Sequence, residues 1–294
     1  MSFQSAPEIV SNHVCELGEG PVWDEVNQCI LWLDITKGEI HKYNINTNLH
    51  TFFKVGEMVG CIAPKESDGF IAGLENGIAF IDIEKNAIQH IVNPEEGLGN
   101  RFNDGKCDAA GRFWVGTMAL SEEESKGNLY VMETDLSVKK KIENVTISNG
   151  IAWNMDNTIM YYINTPTNYV FAFDYNAETG DIENQRVVID LTHETGSADG
   201  MTIDEEGMLW IAFYGGWRVG RYNPTTGDLL QQINLPAENV TCCTFGGVEL
   251  NDLYITTASK GMSEEALKRQ PDAGKLFVVK NVGVKGMNAK KFKG

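Results

Sequence analysis

No stretch of this chain is apolar for the roughly twenty residues that a membrane-spanning helix needs. The start, Met1-Ser2-Phe3-Gln4-Ser5-Ala6-Pro7, has no basic residue and no long apolar run, so a secretory signal is not expected. Cysteine is sparse: six residues, at positions 15, 29, 61, 107, 242 and 243, with no C-x-x-C pair. Without a signal they read as reduced, mostly buried thiols rather than a disulfide framework, and the expected location is the cytoplasm. Positive charge is also short. The 24 Lys and Arg stand against 41 Asp and Glu, for a net charge of −17. Such a surface repels nucleic-acid backbones and anionic lipid, so neither is expected as a partner, and it favours cations. The five histidines, at 13, 41, 50, 90 and 193, share no spacing, and no metal or catalytic role is expected of them.

What the chain does have is a repeat. Four short stretches carry an oxygen side chain at, or one residue short of, a glycine: Glu19-Gly20, Asn103-Asp104-Gly105, Asn149-Gly150 and Asp199-Gly200. Five residues after three of these starts comes an aspartate (Asp24, Asp108, Asp204), and after the other comes Asn154. Further on comes an apolar or aromatic run: Leu31-Trp32, Phe113-Trp114, Met160-Tyr161 or Leu209-Trp210. Weaker copies at Gly60-Cys61-Ile62-Ala63 and Thr241-Cys242-Cys243-Thr244 fill the gaps. The result is six units beginning near residues 19, 60, 103, 149, 199 and 241, a period of about forty to fifty that suits propeller blades.

Within a unit, short apolar strands alternate with turns rich in Asp, Asn and Gly. The unit at 199 reads as Met208-Leu209-Trp210-Ile211-Ala212, then Arg218-Val219-Gly220-Arg221-Tyr222, then Leu229-Leu230-Gln231-Gln232-Ile233 after its first strand. Six four-stranded units predict an all-β fold, a six-bladed β-propeller with a central channel. No linker or composition shift divides residues 1–294, so one domain is expected. Residues 8–15 precede the first unit and are expected to pair into the last blade, which removes two open edges. Residues 262–270 are the best helix, with Ser263 as N-cap. Lys139-Lys140-Lys141 and Glu122-Glu123-Glu124 read as solvated turns, the second placed over the channel mouth. Cys242-Cys243 has no evident base and reads as buried packing.

Asn-Gly and Asp-Gly are also common turn dipeptides. Here the turn role is filled by the later Asp or Asn of each unit. The phase starts instead fall at the mouths of inner strands, where side chains of different blades converge. Glu19 and Asp199 offer carboxylates and Asn149 a neutral carbonyl. An all-oxygen set with two negative charges suits Ca²⁺, Mg²⁺ or Mn²⁺, and Zn²⁺ less typically.

The chain resembles a known family in several motifs taken together. These are Gly18-Glu19-Gly20-Pro21-Val22-Trp23, Arg101-Phe102-Asn103-Asp104-Gly105-Lys106, Gly116-Thr117-Met118, Ile147-Ser148-Asn149-Gly150, Asp199-Gly200-Met201, Phe245-Gly246-Gly247 and Ala273-Gly274. They are similar to those of the senescence marker protein (regucalcin)/gluconolactonase/luciferin-regenerating-enzyme-like family, over nearly the whole chain. The resemblance implies one divalent metal on the channel axis, calcium first, with Glu19, Asn149 and Asp199 as ligands and Arg101 and Asn103 contacting substrate. It also implies metal-dependent hydrolysis of a sugar lactone, with Asp199 as base. A phosphotriesterase on the same metal, or a non-catalytic calcium-binding propeller, are the other readings. Two departures bear on substrate preference. The family's vertebrate members have a glutamate three residues after Gly-Thr-Met, where this chain has Ser121, and Ala198 stands where proline is common before Asp199.

Overall fold

Each repeat unit folds as a four-stranded antiparallel sheet, and six sheets ring one axis as a six-bladed β-propeller. The computed structural model describes residues 5–294; residues 1–4, the start of the segment read above for a signal, lie outside the described residues. The inner strands are Gly18–Asp24, Val59–Pro64, Asn100–Cys107, Ser148–Trp153, Ser197–Ile203 and Asn239–Gly246, one to a blade in chain order. In the sixth blade the fourth strand comes from the opposite end of the chain. Glu8–Ser11 pairs antiparallel with Leu276–Val279, Ile9 facing Phe277. The Thr241 hydroxyl adds a 2.6 Å hydrogen bond to the Gly18 carbonyl, tying the sixth blade to the first.

The sequence pattern within a blade follows from where each strand sits. Second strands such as Cys29–Asp34 and Phe113–Ala119 are buried along their whole length, because neighbouring blades cover both faces. Fourth strands such as Leu49–Lys54 are largely exposed. Lys139-Lys140-Lys141 is not a turn. It lies on the outer strand Val138–Val145, where lysine keeps an open edge from pairing with another chain. The short helix is Glu264–Arg269, and the Ser263 side chain accepts from the Ala266 N–H as its N-cap. No helix among the described residues is long and apolar enough to cross a membrane.

The Asp or Asn five places after the four stronger phase starts holds the turn between first and second strands. Asp204 Oδ1 accepts from the Glu206 and Met208 N–H groups at 3.0 and 2.9 Å. Asp108 Oδ1 accepts from Arg112 N at 3.0 Å, and Asn154 Oδ1 from Thr158 N and Ile159 N at 2.8 and 2.9 Å. In two blades the second carboxylate oxygen reaches into the core. Asp108 Oδ2 accepts from Arg112 Nε (2.9 Å), Trp114 Nε1 (2.9 Å) and Tyr175 Oη (2.6 Å). Asp204 Oδ2 accepts from Trp210 Nε1 (2.9 Å) and Arg221 Nε (2.7 Å). The repeated Asp and Trp are thus one buried clamp.

Removing one partner of a buried ion pair leaves the other charge uncompensated, which costs about 3–5 kcal/mol. Asp108→Ala should destabilise by that amount in denaturant unfolding. Asp24 holds only Asn27, through N and Nδ2 at 3.0 and 2.7 Å. Asp24→Ala should therefore cost no more than about 1.5 kcal/mol. Equal losses in the two variants would contradict the clamp.

Candidate metal and substrate site

All six inner strands break register at the phase of the repeat. The shifts fall between Glu19 and Val22, Val59 and Cys61, Phe102 and Gly105, Asn149 and Ile151, Ala198 and Met201, and Val240 and Cys242. A bulge places an extra residue in one strand and re-aims the side chains beside it. The glycines here meet the adjacent blade. A Cβ on Gly150 would lie 2.6 Å from Cβ of Met201, and one on Gly200 would lie 2.6 Å from Cβ of Cys242. Cys242 and Cys243 are therefore packing residues against this seam, as expected, and all six cysteines are buried and unpaired.

The bulges bring Glu19, Arg101, Asn103, Asn149 and Asp199 to the axis from four blades, each less than a tenth exposed. A continuous hydrogen-bond chain sets the orientation of Arg101, Asn103 and Asn149. Arg101 Nη1 donates to Phe102 O (2.9 Å) and to Asn103 Oδ1 (2.7 Å). Asn103 Nδ2 donates to Ser148 O (2.8 Å) and to Asn149 Oδ1 (3.0 Å). Asn149 Nδ2 donates to Thr165 Oγ1 (2.6 Å), and that hydroxyl donates to Ala198 O (2.9 Å), beside Asp199. The chain turns the Asn149 carbonyl toward Asn103. Both ends of the Asn103 amide are engaged, with one Oδ1 lone pair to spare.

The carboxylates are under electrostatic strain. Burial first, then the Asp104 carboxylate, raises the Glu19 pKa to about 8, against the Gly20 N–H that donates to Glu19 Oε2 at 2.7 Å. Burial, then Glu19 and Asp104, pushes Asp199 well above the carboxylate range, and no hydrogen bond offsets it. Burial lowers Arg101 from its ordinary value, opposed by Glu19, Glu122 and Asp199. Among the described residues, no three His, Cys, Asp or Glu donors gather within 4.8 Å of one another at the axis, so a metal there would need the Asn149 amide as its third protein ligand. That set fits a hard divalent cation. It is all oxygen, and a cation would relieve the repulsion between Glu19 and Asp199.

Three nearby groups were not singled out in the sequence. Asp104 hides in an Asn-Asp-Gly string that reads as a turn, yet it is half-buried on an inner strand and desolvation raises its pKa, with Lys106 opposing. Tyr214, at the end of a second strand, is raised by burial and then by Asp199 and Glu122. Glu122 follows Ser121 in left-handed backbone (φ 58°) and is the one of the three consecutive glutamates whose charge reaches both Arg101 and Tyr214. A cavity of about 140 Å³ also opens on the axis, lined by Gly20, Asp104, Lys106, Trp153, Cys242 and Met287 among others. It holds none of the five expected site residues. Their convergence and charge, rather than a cavity, mark them as the candidate site.

Residues 17–259 match the SMP-30/Gluconolactonase/LRE-like region. The chain belongs to this family. Regucalcin of Danio rerio is 40% identical over 282 residues, covering 95% of this chain and 96% of that protein. Among solved structures, a luciferin-regenerating enzyme superposes with a TM-score of 0.93 at 34% identity, covering 98% of this chain and 99% of its own. A calcium-binding protein, regucalcin, from Agrobacterium tumefaciens superposes with a TM-score of 0.94 at 27% identity, covering 98% and 97%. Within this family frame, sugar lactone hydrolysis and a small-molecule lactone substrate are supported at the level of the family.

The raised Glu19 gives a signed prediction for metal-free protein. Between its ordinary value of 4.5 and about 8, Glu19 holds a proton when folded and has lost it when unfolded. Its contribution is therefore fully present at low pH and is lost as pH rises toward 8. In chelator, Glu19→Gln should flatten this fall in melting temperature and melt above the parent at pH 8. With Ca²⁺ added, the order should reverse.

Proposed function

We propose that this protein hydrolyses a sugar lactone to the open aldonic acid, using one divalent cation. Ca²⁺ is the first choice, with Mg²⁺, Mn²⁺ and Zn²⁺ behind it. The observation that carries the reading is Asp199: a buried carboxylate with no hydrogen bond among the described residues, under the charge of Glu19, next to Ala198, whose carbonyl is tied through Thr165 and the two amides to Arg101. Glu19, Asn149 and Asp199 would hold the cation. When bound, it supplies Lewis acidity toward the ester carbonyl and keeps Asp199 ionised. Asp199 takes a proton from water as the water oxygen adds to the carbonyl carbon. The ring C–O bond then breaks, and the departing oxygen recovers that proton, leaving an acid and a free hydroxyl. Arg101, held by Asn103, binds substrate hydroxyls or the ring oxygen and so fixes the orientation. Asn103 sits beside it with its remaining lone pair. The six buried, unpaired cysteines suit a reducing compartment, the cytoplasm.

Purified protein should open aldonolactones in Ca²⁺ and stop in chelator. Asp199→Ala should lower kcat by at least about 10²-fold. Arg101→Leu should mainly raise KM, with kcat changed less. Normal lactonase activity in Asp199→Ala sinks the mechanism. Turnover of phosphotriesters in place of lactones, or tight Ca²⁺ binding with no ester turned over, sinks the assignment in favour of a phosphotriesterase or a binding propeller.

A further inference from the structure

Away from the axis, ring closure gathers three of the histidines that no sequence spacing connects. His13 and Cys15 lie in the segment leading from the closing strand to the first blade. Glu39 and His41 lie on the third strand of that blade (Glu39–Asn44) and His50 on its fourth (Leu49–Lys54). One donor atom each of His13, Cys15 and His41 lies within 4.8 Å of the others. Glu39 Oε2 is 3.5 Å from His41 Nε2 and 4.0 Å from His13 Nε2, while Lys54 Nζ takes the other carboxylate oxygen at 3.5 Å.

The ring orientations are held from behind. His50 Nδ1 meets Ser11 Oγ at 3.2 Å and His50 Nε2 meets His41 Nδ1 at 3.1 Å. Trp32 stacks on both rings at 5.0 Å between centroids. In the tautomer where His41 Nδ1–H donates to His50 and His50 Nδ1–H donates to Ser11, the His41 Nε2 lone pair has no donor to accept from and faces the Glu39 carboxylate oxygen. His41 is fully buried, and among the described residues neither its Nε2 nor that of His13 has a hydrogen-bond partner. An imidazole fixed through one nitrogen and bare at the other is how protein metal ligands are oriented.

We propose that His13, Cys15, His41 and Glu39 form a second metal site, for a zinc-class divalent transition ion, that clamps the closing strand to the first blade. Two imidazoles, a thiolate and a carboxylate match the ligand types of tetrahedral zinc. Bond lengths of about 2.0–2.3 Å place tetrahedral ligands roughly 3.3–3.7 Å apart, so the His13, Cys15 and His41 donors, within 4.8 Å of one another, must close in, and Glu39 joins from the side of the two imidazoles. His13 is 29% exposed and can make that move. The imidazoles are already in the ligating form. Burial, then His13 and His50, lowers His41 to about 3, and burial lowers His13 and His50 as well. Cys15, pushed up to about 12 by burial and then by Asp34, would release its proton to solvent as its sulfur bonds the ion. The lactonase reading plays no part in this proposal.

The test uses the full chain, chelated and then saturated with Ca²⁺ to occupy the axis. Co²⁺ should then add one equivalent with cobalt–thiolate charge-transfer absorption, and Zn²⁺ should displace it and raise the melting temperature. His13→Ala, at a partly exposed position that leaves the fold in place, should weaken Zn²⁺ at least about tenfold. Cys15→Ser should abolish the charge-transfer band. Absence of that band in the calcium-saturated parent, or unchanged Zn²⁺ affinity and band in both variants, overturns the site.

Discussion

The close approach of six inner strands around one axis is the constraint on which the rest depends. At the phase of the repeat the strands come so near that Gly60 faces the backbone carbonyl of Asn103 and Gly105 faces Sγ of Cys61. Regular alternation cannot continue there, and each strand takes a bulge. A bulge frees side chains from the two-residue period, so neighbouring residues can both reach inward. That is how Asn103 and Asp104, adjacent in sequence, both bear on the axis: one through hydrogen bonds to Arg101 and Asn149, the other through its charge on Glu19 and Asp199. The architecture that forbids side chains at the glycines concentrates acidic ones beside them.

The fold was legible because its signals are local. A turn aspartate six residues before a tryptophan recurs in Asp108–Trp114 and Asp204–Trp210, and each pair closes a bond within one blade. The phase of Glu19, Asn149 and Asp199 could be read for the same reason: each is a fixed step from its own turn. What depends on packing between distant segments left no such trace. His13 meets His41 only because the chain's first strand joins the last blade; that closure is expected for residues 8–15, but no spacing in the sequence sets His13 against His41. Asp104 was hidden by a string that also spells a turn. The lysine run at 139–141 was misread because three charges look alike in a turn and on an exposed outer strand.

The channel mouth shows how a loop can change while the scaffold holds. Ser121 stands where the family resemblance leads one to expect glutamate, and the segment beyond it takes left-handed backbone at Glu122 and Ser125. The Glu122 carboxylate, though exposed, bears on Arg101 and Tyr214, and Lys260 lies 3.9 Å from it. Under the lactonase reading, selection among substrates would rest with this loop and Tyr214. The rigid chain from Arg101 to Ala198 would serve whatever lactone is admitted.

The axis and the closing seam differ in a way that decides which cation each would favour. At the axis the donors are oxygens, the carboxylates outnumber Arg101, and the free energy at stake is repulsion among like charges. Any small divalent ion relieves that, and a hard one does so without needing a thiolate. At the seam the donors are two imidazoles, a thiol and a single carboxylate, already paired with Lys54, so little like-charge repulsion exists to relieve. An ion would enter only by forming bonds strong enough to displace the Cys15 proton, which selects a softer, more tightly held metal. Charge would therefore govern occupancy at the axis and bond strength would govern it at the seam. The same propeller can present both because one set of donors is built by bulges within blades and the other by the joining of the chain's two ends.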